Sequence, residues 1–246
     1  MLWRSLYYVY FIGAVTHWSL SLDASLYVAA NTLLSYNLDY FASIDSRDKR
    51  YAELQARFTS IVTQSTLSAI VLAYQVVQHQ HIAPVTLVSW IPILLYRYIK
   101  RIPLVKAPFL GLMWGLNAVC MSHCIVHDIP LSQVIPGKLM ELVAMCGWLV
   151  IISTYNDLKD IDEDRRDQYS TFATMMGFQA TRYALVVGGA GLVWICILQS
   201  FGLDLLIYYM SMVVQMTILR DVSTSLYRNT ICVIGVVRCV QYSLDM

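Results

Sequence analysis

The stretch Tyr155-Asn156-Asp157-Leu158-Lys159-Asp160-Ile161-Asp162-Glu163-Asp164-Arg165-Arg166-Asp167 concentrates the groups most able to do chemistry. It follows an apolar run, Leu142 to Ser153, that with its flanks is long enough to cross a bilayer. Asp157, Asp160 and Asp164 are spaced three and four apart, so a helix puts them on one face, as it does Asn156, Asp160 and Asp164. Carboxylates gathered at a membrane helix end repel one another unless a cation sits among them. Oxygen-only ligands suit a hard ion such as Mg²⁺, which takes one or two carboxylates and leaves positions for phosphate oxygens. The alternative is a solvated acidic loop that caps a helix.

A second polar stretch argues against the plain loop. Ser35 to Asp48 aligns without gaps on Thr154 to Asp167, pairing Tyr36 with Tyr155, Asn37 with Asn156, Asp45 with Asp164, Arg47 with Arg166 and Asp48 with Asp167. Leu38 and Phe41 fall where the later copy has Asp157 and Asp160. Two related motifs at membrane helix ends suggest an internal repeat with a site between its halves, about 1–100 and 101–246, in one transmembrane domain spanning 1–246.

Composition sets the frame for these motifs. Of 246 residues, 58% are hydrophobic and 13% charged, and mean hydropathy is +0.57. A soluble domain of this length cannot hide so much apolar side chain, so the chain reads as an all-α, polytopic membrane protein. A formal net charge of +1 argues against nucleic acid as a partner. The six cysteines lie mostly in apolar runs and read as small buried hydrophobes. Leu2 to Leu20 reads as a spanning helix, with a signal peptide ending near Ser21 as the alternative.

The apolar runs and their breaks predict nine spanning helices, at 2–21, 23–44, 56–78, 82–100, 104–126, 137–158, 179–200, 203–219 and 222–241. If they alternate in direction, both acidic motifs share one side with every one of the 17 Lys and Arg residues except Lys138 and Arg238. That side is then cytosolic or its equivalent. It also offers cations for an anionic substrate. Tyr96 and Lys100 are i and i+4 at a helix end, with Arg101 and Lys106 close behind, and Arg47, Arg50, Arg165 and Arg166 flank the motifs. Carboxylates suited to Mg²⁺ beside such cations describe a diphosphate site. Positive-inside bias and snorkelling account for most of these cations one by one, but not for the acidic repeats.

On these residues the chain resembles the UbiA superfamily of intramembrane prenyltransferases. Tyr155 to Arg165 resembles that family's second aspartate motif. Ser170 to Gly177 sits where the family has a Thr-containing strip ending in Gly, and Tyr96-Arg97-Tyr98-Ile99-Lys100 matches its Tyr-x-x-x-Lys element. Arg101-Ile102-Pro103-Leu104-Val105-Lys106, with Trp114 and Gly115, resembles a less-characterised branch. The nine-helix plan fits as well. The first motif departs from the family: Leu38 and Phe41 replace its two inner aspartates, while Asn37 and Asp45 remain. Asp39 and Asp48 are possible stand-ins, although Asp39 lies about 100° around an ideal helix from position 38 and needs local unwinding to replace it.

The resemblance implies a set of roles around a central cavity. Mg²⁺, held by Asp157, Asp160, Asp164, Asp45 and Asn37, bridges the phosphates of an isoprenyl diphosphate whose tail lies among apolar side chains. Asn37, Asn156, Arg47, Arg101 and Arg165 bind substrate. Lys100 and Tyr96 join the three aspartates as catalytic groups, Lys100 by neutralising the departing diphosphate. The allylic cation then meets a hydrophobic or aromatic acceptor, with Tyr36, Tyr96 and Tyr155 as candidate cation-stabilising rings. Two alternatives stay open: a membrane terpene cyclase, and a non-catalytic homologue that binds a lipid diphosphate. Cys120, His123, Cys124 and His127 also fall at helical spacings, but toward the opposite side, where helix packing is the simpler role. Gly188, Gly189 and Gly191 are expected to bring helices close together, and Glu141 has no evident partner.

Overall fold

A computed structural model describes residues 22–43, 50–99, 101–198 and 210. Its elements in chain order are α1 (Leu22–Ser43), α2 (Arg50–Gln78), a 3-10 turn (Gln80–Ile82), α3 (Ala83–Ile99), α4 (Lys106–Gly115), a π-helical turn (Leu116–Met121), α5 (Ser122–His127), α6 (Leu131–Lys159), α7 (Ile161–Arg166), α8 (Phe172–Met176) and α9 (Phe178–Leu198). The described residues contain no strand, as expected for an all-α protein. Three segments, Gln55–Gln78, Lys106–His127 and Leu131–Leu158, are long and apolar enough to cross a membrane by length and composition. The predicted helices 2–21, 203–219 and 222–241 lie outside the described residues, apart from residue 210.

The six predicted helices inside them all form, and their ends shift for local reasons. The helix predicted at 137–158 begins at Leu131. Pro136 lies within it, in the second turn, where a missing N–H removes the one bond it would make to the Ser132 carbonyl. The helix predicted at 104–126 is interrupted by the wider π turn, and the Asn117 carbonyl within that turn is taken by the Ser122 hydroxyl at 3.2 Å. Such π turns are rare and recur at functional sites.

Helix α6 forms the spine, with α4 and α9 packed on it, while α1 packs on α2 and α3. Trp148, Met145, Leu149 and Ile151 of α6 join Tyr27 and Val28 of α1 and Cys120, Met121 and Cys124 in one core. The close contact of α4 with α6 has a specific cause. Gly111 and Gly115 form a Gly-x-x-x-Gly pair, and a Cβ on Gly111 would stand 2.7 Å from the Cys146 carbonyl oxygen and 2.6 Å from Val150. Small residues at this spacing let membrane helix backbones approach. The glycines expected to pack helices are looser: a Cβ on Gly188 would make ordinary contact with Ile151, and one on Gly191 would meet nothing within 4 Å.

Several polar groups within the bundle are joined to one another. Asn31 donates to the Asn117 side-chain oxygen at 2.7 Å, Trp90 donates to the Asn31 oxygen at 3.0 Å, and Asn117 donates to the Met113 carbonyl at 2.9 Å. This network ties α1, α3 and the π turn together in an apolar setting, where each unmade bond would be costly.

Candidate active site

The acidic motif does not lie on one continuous helix. Helix α6 ends at Lys159, Asp160 adopts a non-helical backbone (φ −99°, ψ 13°), and α7 restarts at Ile161. The Asp164 N–H still donates to the Asp160 carbonyl at 2.8 Å, so the chain bends without unravelling. This bend leaves Asp160 exposed and turns Asp157 and Asp164 inward, at 4% and 6% exposure.

These two carboxylates meet at Lys106, the first residue of α4. Its Nζ lies 2.7 Å from Asp157 Oδ1 and 3.5 Å from Asp164 Oδ2. The first contact is a charge-assisted hydrogen bond; the second is too long to satisfy the Asp164 oxygen, which has no hydrogen-bond partner among the described residues. Burial pushes the Asp164 carboxyl above the usual aspartate range, and Asp160 and Glu163 push it the same way. The Lys106 ammonium opposes both effects.

Two connections hold Lys106 opposite the acids. The Gly111–Gly115 contact fixes α4 against α6, and the N–H of Leu104, in the left-handed region at φ 62°, donates to the Ser170 carbonyl at 2.9 Å. That second bond joins the Arg101–Lys106 turn to the strip after α7. The strip is itself capped: Thr171 Oγ1 accepts from the Thr174 N–H at 3.2 Å and Thr174 Oγ1 accepts from the Thr171 N–H at 2.9 Å. Replacing Thr171 by Ala should therefore cost about 1 kcal/mol. Thermal unfolding in detergent checks this, and a variant as stable as the parent would mean that the cap carries no stability.

Beside the acids opens a cavity of about 180 Å³, lined by Ser35, Tyr36, Tyr96, Phe109, Trp114 and Asn156 together with Asn117 and apolar residues of α4 and α6. Both polar stretches thus contribute to one cavity, Ser35 and Tyr36 from the first and Asn156 from the second. Its walls are paired rings, Tyr36 on Trp114 at 5.8 Å and Tyr96 on Phe109 at 6.0 Å. Tyr155, the third candidate cation-stabilising ring, is buried in the core.

The remaining expected residues divide three ways. Asn37 is fully buried against α2, where its amide donates to Ser65 Oγ at 3.0 Å and to the Ile61 carbonyl at 3.4 Å. Helix α1 continues unbroken to Ser43, without the unwinding that Asp39 would need to stand in for position 38. Arg101 and Arg165 are exposed, and Arg165 makes a loose 3.9 Å pair with Asp162. Lys100, Arg47, Asp45 and Asp48 lie outside the described residues. Lys106, which the sequence placed only as a neighbouring cation, is the group that joins the acids.

Among the described residues no group of three or more His, Cys, Asp or Glu converges in a way that could hold a metal ion. At the far end of the bundle, His123 stacks on His127 at 5.5 Å and His81 Nε2 lies 3.1 Å from the Cys124 carbonyl oxygen. Glu141 finds its partner one turn away, in Lys138 at 2.7 Å. That pairing was within reach of the i, i+3 rule.

A helical membrane bundle with an acidic centre beside an aromatic cavity is the class that this geometry defines. Residues 48–229 match the UbiA prenyltransferase family, and the chain belongs to it. Its function is accordingly of the membrane prenyltransferase type. The fold is similar to that of a solved UbiA homolog from Aeropyrum pernix K1, an apo structure, with a TM-score of 0.74 over 98% of each chain at 14% identity. No curated protein matches the chain by sequence.

Proposed function

We propose that the protein is an Mg²⁺-dependent prenyltransferase that ionises an isoprenyl diphosphate and transfers the prenyl group to an aromatic acceptor. The observation that carries this reading is adjacency. Asn156 lines the aromatic cavity, and the next residue, Asp157, is the inner member of the buried carboxylate pair.

The donors suit Mg²⁺ in kind: two buried carboxylates, one of them with an oxygen that lacks a hydrogen-bond partner among the described residues, and the exposed Asp160 nearby. Few protein ligands and several open positions are the usual arrangement for this ion when phosphates complete its shell. Asp157 and Asp164 would hold it, with the exposed Asp160, and Asp45 outside the described residues, as further candidates, and a bound ion would supply positive charge for the departing diphosphate. Lys106 and Arg101 add positive charge at that end, and Lys100, outside the described residues, is expected to do the same. The basic residues shared by the two motifs favour a cytosolic location for this end.

Ionisation breaks the allylic C–O bond, and diphosphate leaves with the electron pair. Tyr36, Trp114, Tyr96 and Phe109 present π faces that stabilise the allylic cation and exclude water from it. A ring carbon of the acceptor then attacks, and loss of the ring proton restores aromaticity.

The same four rings around a small cavity favour a second reading, terpene cyclisation, in which the cation is attacked by its own double bonds. The discriminating experiment incubates purified protein and Mg²⁺ with prenyl diphosphates of increasing length, with and without a phenolic acceptor, and analyses the extracted products. Transfer predicts diphosphate release and a prenylated ring only when the acceptor is present. A cyclic hydrocarbon formed without acceptor would move the assignment to the cyclase, and no release under any condition would leave only lipid-diphosphate binding.

A further inference from the structure

Two buried carboxylates 2.7 and 3.5 Å from one ammonium are already partly neutralised before any ligand arrives. Lys106 is itself only 19% exposed. A divalent ion that approaches Asp157 and Asp164 therefore meets a positive charge in the place it must occupy, in surroundings where water screens little. The Lys106 ammonium stands on a flexible four-carbon stem, and its charge can turn to a new partner while its backbone stays fixed. The backbone is fixed here by the Leu104–Ser170 bond and by the close contact at Gly111 and Gly115. A diphosphate entering beside Asn156 offers this ammonium more negative charge than one carboxylate does.

We propose that Lys106 is a built-in counterion that keeps the Asp157–Asp164 pair closed to a free divalent ion and turns to the diphosphate when one arrives. Metal then enters with the substrate rather than ahead of it. This rests on the reading of the site as a metal-dependent diphosphate centre. Lys106 acts in it as a positioning residue for the metal and as a direct contact of the substrate.

The two roles predict effects of opposite sign. Mn²⁺ alone, titrated into purified protein and followed by electron paramagnetic resonance, should bind weakly to the parent and to Lys106→Arg. It should bind at least about tenfold more tightly to Lys106→Met, from which the competing charge is gone. An unreactive prenyl thiodiphosphate, titrated calorimetrically in saturating Mg²⁺, should bind Lys106→Met at least about tenfold more weakly, because a charge-assisted contact is lost. A merely structural lysine would weaken both together. Lys106→Gln, which keeps a donor toward Asp157 without the charge, serves if the methionine variant does not fold. Lys106→Met binding Mn²⁺ no more tightly than the parent, or keeping full affinity for the analogue, overturns the proposal. If that happens while diphosphate release stays Mg²⁺-dependent, the prenyltransferase reading survives. If no variant binds Mn²⁺ and release needs no metal, both fall.

Discussion

Replacing Asp157 by Asn should lower diphosphate release by about 10²- to 10³-fold, the range seen when one preorganised electrostatic contact is removed from an active site. Asparagine keeps the size of the side chain and removes its charge, so the loss reports chemistry before packing. Asp157 is the more deeply buried of the paired acids and the one in direct contact with Lys106. The substitution also has a structural cost. Breaking a buried pair by removing one partner costs about 3–5 kcal/mol, and the remaining Asp164 contact should hold the cost below that range. Circular dichroism in detergent separates the two effects: the folded variant should be present and nearly inactive. A folded Asp157→Asn protein with parental turnover would remove Asp157 from the reaction.

The second large effect is expected at an uncharged position. Gly111→Leu should destabilise the bundle by about 3 kcal/mol and take the activity with it. Its first side-chain atom would fall 2.7 Å from a backbone oxygen of α6, which has no rotamer to yield, so α4 must move away. Lys106 starts that helix, and the movement draws its ammonium from Asp157. Gly191→Leu is the control. A Cβ there meets nothing within 4 Å, and its effect should stay within about 0.5 kcal/mol. Thermal unfolding of both variants checks the contrast, and equal stability would mean that α4 and α6 do not depend on this contact.

The contrast between these glycines shows what the sequence made legible. Apolar length and charged breaks placed six helices, because a membrane span must satisfy its backbone within one continuous helix, although α2 and α6 start six residues before the predicted positions. The start at Leu131 rather than 137 was not legible, since Pro136 in the second turn gives up one backbone bond without ending the helix. The carboxylates Asp157 and Asp164 stood out because charges at an apolar helix end are rare and costly. The bend at Asp160 did not stand out, because the three-and-four spacing presumes an unbroken helix. Lys106 was visible as a cation, but its role depends on how near α4 comes to α6. The signal for that is Gly111-x-x-x-Gly115, where the backbones meet closely, whereas Gly188 and Gly191 are loosely packed. Asn37 shows the opposite limit. It is the counterpart of Asn156 in the repeat, yet it packs against α2 while Asn156 lines the cavity. Helical register alone cannot distinguish those two faces.

Asp157, Lys106 and Asp164 are proposed to form the diphosphate end of a prenyltransferase site. Crystals grown with Mn²⁺ and an unreactive prenyl thiodiphosphate test it directly, because anomalous scattering locates the ion. Such a site predicts an anomalous peak within about 2.3 Å of an Asp157 or Asp164 oxygen. It also predicts the diphosphate beside Lys106 and the prenyl chain between Tyr36–Trp114 and Tyr96–Phe109. An ion and diphosphate bound elsewhere, with the Lys106–Asp157 pair unchanged, would contradict it.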